Sequence, residues 1–189
     1  MGGIATKRYD ALEEIVKVLK DELVICNLGI PAKELFNLKD RDENFYMMGS
    51  MGLVSSIALG VAISRPEKKV WCIDGDGSIL MNLGSLSTIG NYSPNNLTLI
   101  VIDNGCYGST GDQKTHTCQK TNLEIIARGA GFESIQVIEK KEDIVPKLRE
   151  LGSGCHFLLI KTEPGNAQVK NIPLSPEEIK QRFMNSSSK

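Results

Sequence analysis

The chain has 189 residues, 41% hydrophobic and 24% charged, an ordinary composition for one soluble domain with a full-sized core. Its formal net charge of −1 argues against the broad basic field that nucleic acid or an anionic membrane surface would require. No stretch approaches the roughly 20 uninterrupted apolar residues of a membrane span, and residues 1–16 lack the apolar segment of a signal peptide; a cytoplasmic protein without nucleic-acid or membrane partners is expected.

Residues 8–20 place Tyr9, Leu12, Ile15, Val16 and Leu19 at helical spacing with charges between them, which predicts an amphipathic helix. A short strand, LVICN, follows, and then LGIPAKELFNL, where Pro31 suits the first turn of a brief helix. The polar run KDRDEN turns the chain into FYMMGSMG. From Leu53 to Ser64 the sequence is apolar nearly all round and rich in small residues, the pattern of a buried, closely packed helix, which RPEKK ends. Strand VWCID, a glycine turn, helix SILMNLGSLSTIGN and the β-branched strand NLTLIVID come next. A long polar loop, NGCYGSTGDQKTHTCQKT, separates these from a helix near NLEIIARGA, a strand SIQVIE, a helix EDIVPKLREL, a strand HFLLIKT and a last amphipathic segment, SPEEIKQRFM. Strands that are continuously apolar and alternate with helices predict a mostly parallel sheet covered on both faces. The fold class is α/β, a single doubly wound domain over residues 1–189, with residues 185–189 as a disordered tail.

The five cysteines are scattered and form no CxxC pair, which argues against a disulfide frame or a structural zinc site. Cys26, Cys72 and Cys155 lie in or beside apolar runs and read as small buried hydrophobes. Cys106 and Cys118 flank the polar loop and stay open to a functional role.

In an open parallel sheet, ligands bind beyond the carboxyl ends of the strands. Two such ends carry marked loops: Gly75-Asp76-Gly77-Ser78 after VWCID, and Asn104-Gly105-Cys106-Tyr107-Gly108 after NLTLIVID. The glycines permit tight turns and close approach of a ligand to the backbone, and free N–H groups at the following helix start suit a phosphate. A carboxylate and an amide carbonyl are hard oxygen donors; with diphosphate oxygens, a backbone carbonyl and water they would complete a Mg²⁺ octahedron. A tight turn with an exposed aspartate is the bland alternative for the first loop alone. The second loop counts against it, because 28 positions separate Asp76 from Asn104, room for one helix and one strand that return the chain to the same sheet edge.

Residues 75–108 resemble the GDG-to-Asn diphosphate motif of thiamine diphosphate enzymes. The resemblance implies that Asp76, Asn104 and the backbone oxygen of Cys106 bind Mg²⁺, with Gly75, Gly77, Ser78, Tyr107 and Gly108 around the cofactor. Asp103 stands where many members have a first asparagine. The likeness reaches GSMG: Gly49 would offer its carbonyl to the cofactor's amino group, Ser50 would lie beside it, and Met51 would force the cofactor to bend. Family enzymes also need a glutamate from a pyrimidine-binding domain, and this chain is too short to carry both halves. Over nearly its whole length, including NLGIPAKEL, DRDENFYMMGSMGL, CYGSTGDQKTHT and KQRFM, it is similar to the β-subunit family of sulfopyruvate decarboxylases. That likeness implies decarboxylation of 3-sulfopyruvate to sulfoacetaldehyde in coenzyme M biosynthesis. It also implies a hetero-oligomer in which an α subunit brings the pyrimidine-binding domain and the catalytic glutamate.

Lys114 and His116, in the polar loop, could face the dianionic 2-oxo acid or belong to a solvated loop. His156 opens an apolar strand and reads as structural. Phosphonopyruvate decarboxylases share much of the pattern and remain an alternative, as does a non-catalytic cofactor-binding subunit. A nucleotide-binding dehydrogenase is disfavoured by the lack of GxGxxG after the first strand.

Overall fold

A sheet whose strands are apolar on both faces is stable only when both faces are covered, and the computed structural model, which describes residues 6–188, has that arrangement. In chain order the elements are α1 (Arg8–Val18), β1 (Leu23–Cys26), α2 (Ile30–Leu38), β2 (Asn44–Tyr46), α3 (Val54–Ser64), β3 (Val70–Gly75), α4 (Asp76–Met81), α5 (Gly84–Tyr92) and β4 (Asn96–Asp103). There follow a hairpin of β5 (Cys106–Tyr107) and β6 (Gln113–Lys114), a 3₁₀ turn at His116–Cys118, α6 (Leu123–Gly129), β7 (Ser134–Ile138), α7 (Lys141–Arg149), β8 (Gly154–Lys161) and α8 (Pro176–Ser187). Six strands form one sheet in the order β2-β1-β3-β4-β8-β7, every neighbouring pair parallel. The expected doubly wound α/β fold is therefore present.

Alternate side chains of each strand enter two cores. Leu23, Ile25, Val70, Cys72, Leu97, Leu99 and Val101 pack with Val54 and Ala58 of α3, Leu86 and Ile89 of α5 and Leu123 and Ala127 of α6. Val24, Cys26, Trp71, Ile73, Ile100 and Ile102 pack with Leu12 and Ile15 of α1, Leu35 of α2 and Ile144 and Leu148 of α7. Helix α8 reaches both cores, placing Ile179 in the second and Phe183 in the first, and Arg182 ties it to Asp40 and Asp42 beside β2. Burial of Cys26, Cys72 and Cys155 in these cores agrees with their reading as hydrophobes. His156 bonds the Ser134 hydroxyl (2.8 Å) and the Gly152 carbonyl (3.2 Å), a structural role.

Four local expectations need correction. The helix expected as one unit from Ser78 to Asn91 is two, because the chain leaves helical geometry at Asn82 (φ −144°, ψ 57°), whose side chain donates to the Gly52 carbonyl at 3.1 Å. The polar loop after β4 holds a two-stranded hairpin. The tail expected to be disordered from residue 185 continues α8 through Ser187, since Ser186 Oγ donates to the Asp42 carbonyl (3.0 Å) and Arg65 Nε to the Ser187 carbonyl (2.8 Å). Helix α3 is buried on one face only: Leu53, Ile57 and Ile63, along its other face, are exposed. Among the described residues, no helix is long and apolar enough to cross a membrane.

Candidate active site

Strands β3 and β4 run side by side with Gly75 opposite Ile102, so the chain leaves both at the same sheet edge. A cavity opens there. Of the residues singled out from sequence, Met51, Gly75, Asp76, Gly77, Ser78, Asn104, Cys106, Tyr107 and Gly108 line it. Gly49 and Ser50 are exposed and lie just before the lining, in a loop where Ser50 takes a left-handed φ of 62°. Lys114 and His116 are exposed and do not line the cavity.

The two loops are held by specific bonds. Gly52 donates its N–H to Ser78 Oγ at 3.0 Å, which fixes Met51 against the GDG turn. Gly52 has φ +90°, and a Cβ there would lie 3.1 Å from that of Met81, so a side chain is excluded on both counts. At Gly77 a Cβ would fall 2.3 Å from the Tyr107 ring. The ring is thus laid directly on the turn, and any larger residue would push it into the cavity.

Asp76 is 2% exposed, and its Oδ2 accepts the Thr115 hydroxyl at 2.5 Å and the Thr117 hydroxyl at 2.9 Å. Burial raises its carboxyl above the ordinary range, the Thr115 bond opposes that, and the negative charge of Asp103 adds to it. Among the described residues Oδ1 has no side-chain partner. Asn104 Oδ1 accepts the Cys106 N–H at 3.2 Å, one of its two acceptor sites. The Cys106 thiol is turned to Asp112 Oδ1 at 3.5 Å and pushed up to about 11, mainly by burial; it is not a thiolate, and what this residue can give a cation is its backbone oxygen. Among the described residues no cluster of three or more His, Cys, Asp or Glu could hold a metal. A cation bound by Asp76, Asn104 and a carbonyl must therefore complete its shell from the ligand and water, which is how Mg²⁺ sits on phosphates. The donor set fits Mg²⁺ with a diphosphate.

Sequence reasoning noted Asp103 only as a departure from the motif and passed over the other residues here. Asp103 Oδ1 accepts the Thr117 hydroxyl (2.8 Å) and the Gly105 N–H (3.1 Å), and its Oδ2 accepts Lys161 Nζ (2.5 Å). The acid in the place of an asparagine thus has a cation directly across the β4–β8 register. Thr115 and Thr117 give no clear local signal, because the chain leaves the β6 strand at Lys114 and enters a 3₁₀ turn at His116. Arg8 and Asn166, which also reach this cavity region, carry no local sequence signal.

The fold and site define a class. Residues 31–162 match the family model of the thiamine pyrophosphate enzyme C-terminal TPP-binding domain. The 2-oxoglutarate:ferredoxin oxidoreductase of Magnetococcus marinus shares the fold, with a TM-score of 0.69 at 16% identity over 92% of this chain and 66% of that one. Within the class, the sulfopyruvate decarboxylase subunit beta of Methanocaldococcus jannaschii is 51% identical over 94% of this chain and 95% of its own. The sulfopyruvate decarboxylase of Methanosarcina acetivorans is 45% identical over 93% of this chain, a match that takes up 46% of that longer protein. The chain belongs to the sulfopyruvate decarboxylase β-subunit family.

Asp74 supplies a pH test of this environment. It lines the cavity, accepts the Gly75 N–H on Oδ1 at 2.8 Å, and has no partner for its buried Oδ2. Burial pushes its carboxyl up to about 7. The unfolded chain releases this proton near the ordinary value of about 4 while the folded chain keeps it, so between about pH 4 and 7 folding stability falls as pH rises. The total loss is roughly 4 kcal/mol at most, at about 1.4 kcal/mol per pKa unit. Asp74→Asn is expected to leave the urea midpoint nearly unchanged at pH 4 and to raise it at pH 8; midpoints shifted equally at both pH values would assign Asp74 an ordinary titration.

Proposed function

We propose that this chain is the cofactor-anchoring β subunit of a decarboxylase that converts 3-sulfopyruvate to sulfoacetaldehyde and CO₂ for coenzyme M biosynthesis. Its cofactors are thiamine diphosphate and Mg²⁺, and its site is completed by an α subunit. The observation that carries the reading is the convergence of Asp76, Asn104 and Cys106 on one cavity in a member of this family. When bound, thiamine diphosphate supplies the electron sink through which a 2-oxo acid loses CO₂. The residues of this chain hold and orient it. Asp76, Asn104 and the Cys106 carbonyl hold Mg²⁺ on the diphosphate, Thr115 and Thr117 keep the Asp76 carboxylate turned, and Gly77 under Tyr107 lets the backbone come close. Met51 lines the cavity as the buttress for a bent cofactor, and Gly49 offers its carbonyl at the rim.

The missing wall is the α subunit's. Leu53, Ile57 and Ile63 along α3, with Met48 at 60% and Met81 at 61% exposure, form apolar surface beside Gly49 and Met51. Ser56 and Gly60 between them are exposed and small, which permits a close approach. This surface suits a pyrimidine-binding domain that brings its glutamate to the cofactor and, in covering the seam, excludes water. Lys114 pairs with Cys106 in the hairpin, one strand away from the metal-binding loop, which supports a role for Lys114 and His116 in meeting a dianionic substrate at that seam.

In the assembled complex, Asp76→Ala is expected to weaken Mg²⁺-dependent cofactor binding by more than the roughly 10- to 100-fold that loss of an outer-shell partner costs, with the fold retained. Calorimetric titration checks this, and unchanged affinity would remove Asp76 from the site. Lys114→Ala or His116→Ala should raise KM for sulfopyruvate, or lower kcat/KM, several-fold while cofactor affinity holds; steady-state kinetics at saturating cofactor separates the two, and an equal loss of cofactor binding would make the loop scaffolding. The purified chain with thiamine diphosphate and Mg²⁺ should release no CO₂ from sulfopyruvate, and addition of the α subunit should restore turnover in preference to pyruvate or phosphonopyruvate. Full turnover by this chain alone would sink the two-subunit reading.

A further inference from the structure

The cavity that receives the diphosphate in this reading is lined by two carboxylates, Asp74 and Asp76, and among the described residues by a single cation, Arg8. Arg8 opens α1 and is 7% exposed. Its Nε donates to Glu34 Oε2 at 2.7 Å and its Nη2 to Glu34 Oε1 at 3.1 Å, the side-on, two-point grip that fixes a guanidinium plane. Nη2 also donates to Asn166 Oδ1 at 2.8 Å, and Asn166 Nδ2 donates to the Gly108 carbonyl at 2.7 Å. Glu34 is fully buried and takes a further bond from the Ala167 N–H at 3.0 Å. Glu34 is thereby well satisfied, whereas Arg8 is not: Nη1 has no hydrogen-bond partner among the described residues. Because Nε and Nη2 form the edge held by Glu34, the Nη1 end is the one left to the cavity.

A buried arginine–glutamate pair that only fastened α1 to α2 would have no need to border a ligand cavity. Around this cavity the charge balance matters, since a diphosphate brought up to two carboxylates meets repulsion that one Mg²⁺ only partly offsets. We propose that Arg8 is a diphosphate-binding residue: Glu34 and Asn166 hold its guanidinium so that the Nη1 end donates to the cofactor's phosphate oxygens, while Asn166 links the same group to Gly108 in the metal-binding loop. The inference rests on the assignment of thiamine diphosphate to this cavity.

The test compares Glu34→Gln with Arg8→Gln/Glu34→Gln in the complex with the α subunit, by calorimetric titration of thiamine diphosphate and of inorganic pyrophosphate, each with Mg²⁺. Both variants abolish the ion pair; Glu34→Gln leaves the Arg8 charge without its partner, whereas the double variant removes both charges. Glu34→Gln keeps the cation but loosens the grip on its guanidinium, and should bind both probes several-fold more weakly than wild type. The double variant should bind both about 10- to 100-fold more weakly, the loss expected for a charge-assisted hydrogen bond. Arg8→Lys keeps a charge against Glu34, and hence the fold should the double variant fail to assemble. One ammonium cannot serve both Glu34 and the ligand, so this variant should also bind several-fold more weakly. Equal affinity of Glu34→Gln and the double variant, or wild-type affinity in Arg8→Lys, would overturn the role of Arg8 and reduce the network to a fastening. Failure of the wild-type complex to bind thiamine diphosphate would instead overturn the cofactor reading, and this inference with it.

Discussion

The parallel pairing of β3 with β4 is the constraint on which the site depends, because it sends both chain segments out of the sheet at one edge. Gly75 lies opposite Ile102, and so the acids that follow, Asp76 and Asp103, end one hydroxyl apart, with Thr117 within bonding distance of both. Burial raises the cost of ionising Asp76, and the nearby charge of Asp103 adds to it. The structure meets the cost with Lys161 on Asp103 and two threonine hydroxyls on Asp76. With Asp76 Oδ2 taken up in this way, its other oxygen has no side-chain partner among the described residues.

Most of the fold was legible because its signals are local. The runs LVIC, VWCID, NLTLIVID, SIQVI and HFLLIK all form strands, and all but the edge strand SIQVI are apolar enough to need two covered faces. The glycine turn and the asparagine loop could be assigned to one site because their strands are neighbours in chain order and in the sheet. Less legible were the features set by partners distant in sequence. The break at Asn82 depends on the Gly52 carbonyl, and the helical end of the chain depends on Arg65 and Asp42. No pattern near residue 185 announces either.

The site was legible in part for the same reason. Asp76, Asn104 and Met51 belong to motifs that turn on spacing, and the cavity contains them. Arg8, Asn166 and Lys161 are met only in space, since Arg8 and Asn166 are joined across 158 positions. The loop KTHT carries signals of two kinds: charge drew attention to Lys114 and His116, whereas burial singles out Thr115 at 1% exposure. A hydroxyl can be enclosed with one or two bonds, while a lysine ammonium would need more partners than this turn has to offer.

The exposure of those larger side chains is itself informative about how the charge is divided. The cation inside the cavity, Arg8, is held by Glu34 and largely buried. Lys114 and His116 lie outside the cavity and exposed, the first on a short hairpin and the second in the 3₁₀ turn that follows. Between the two lies Met51, half-buried, beside the apolar face of α3 that this chain leaves bare. A doubly wound sheet offers one wall to a ligand at its edge. An apolar rim on that wall, with an ion-paired arginine within, is what a second subunit would need in order to close a dry compartment over the reacting atoms.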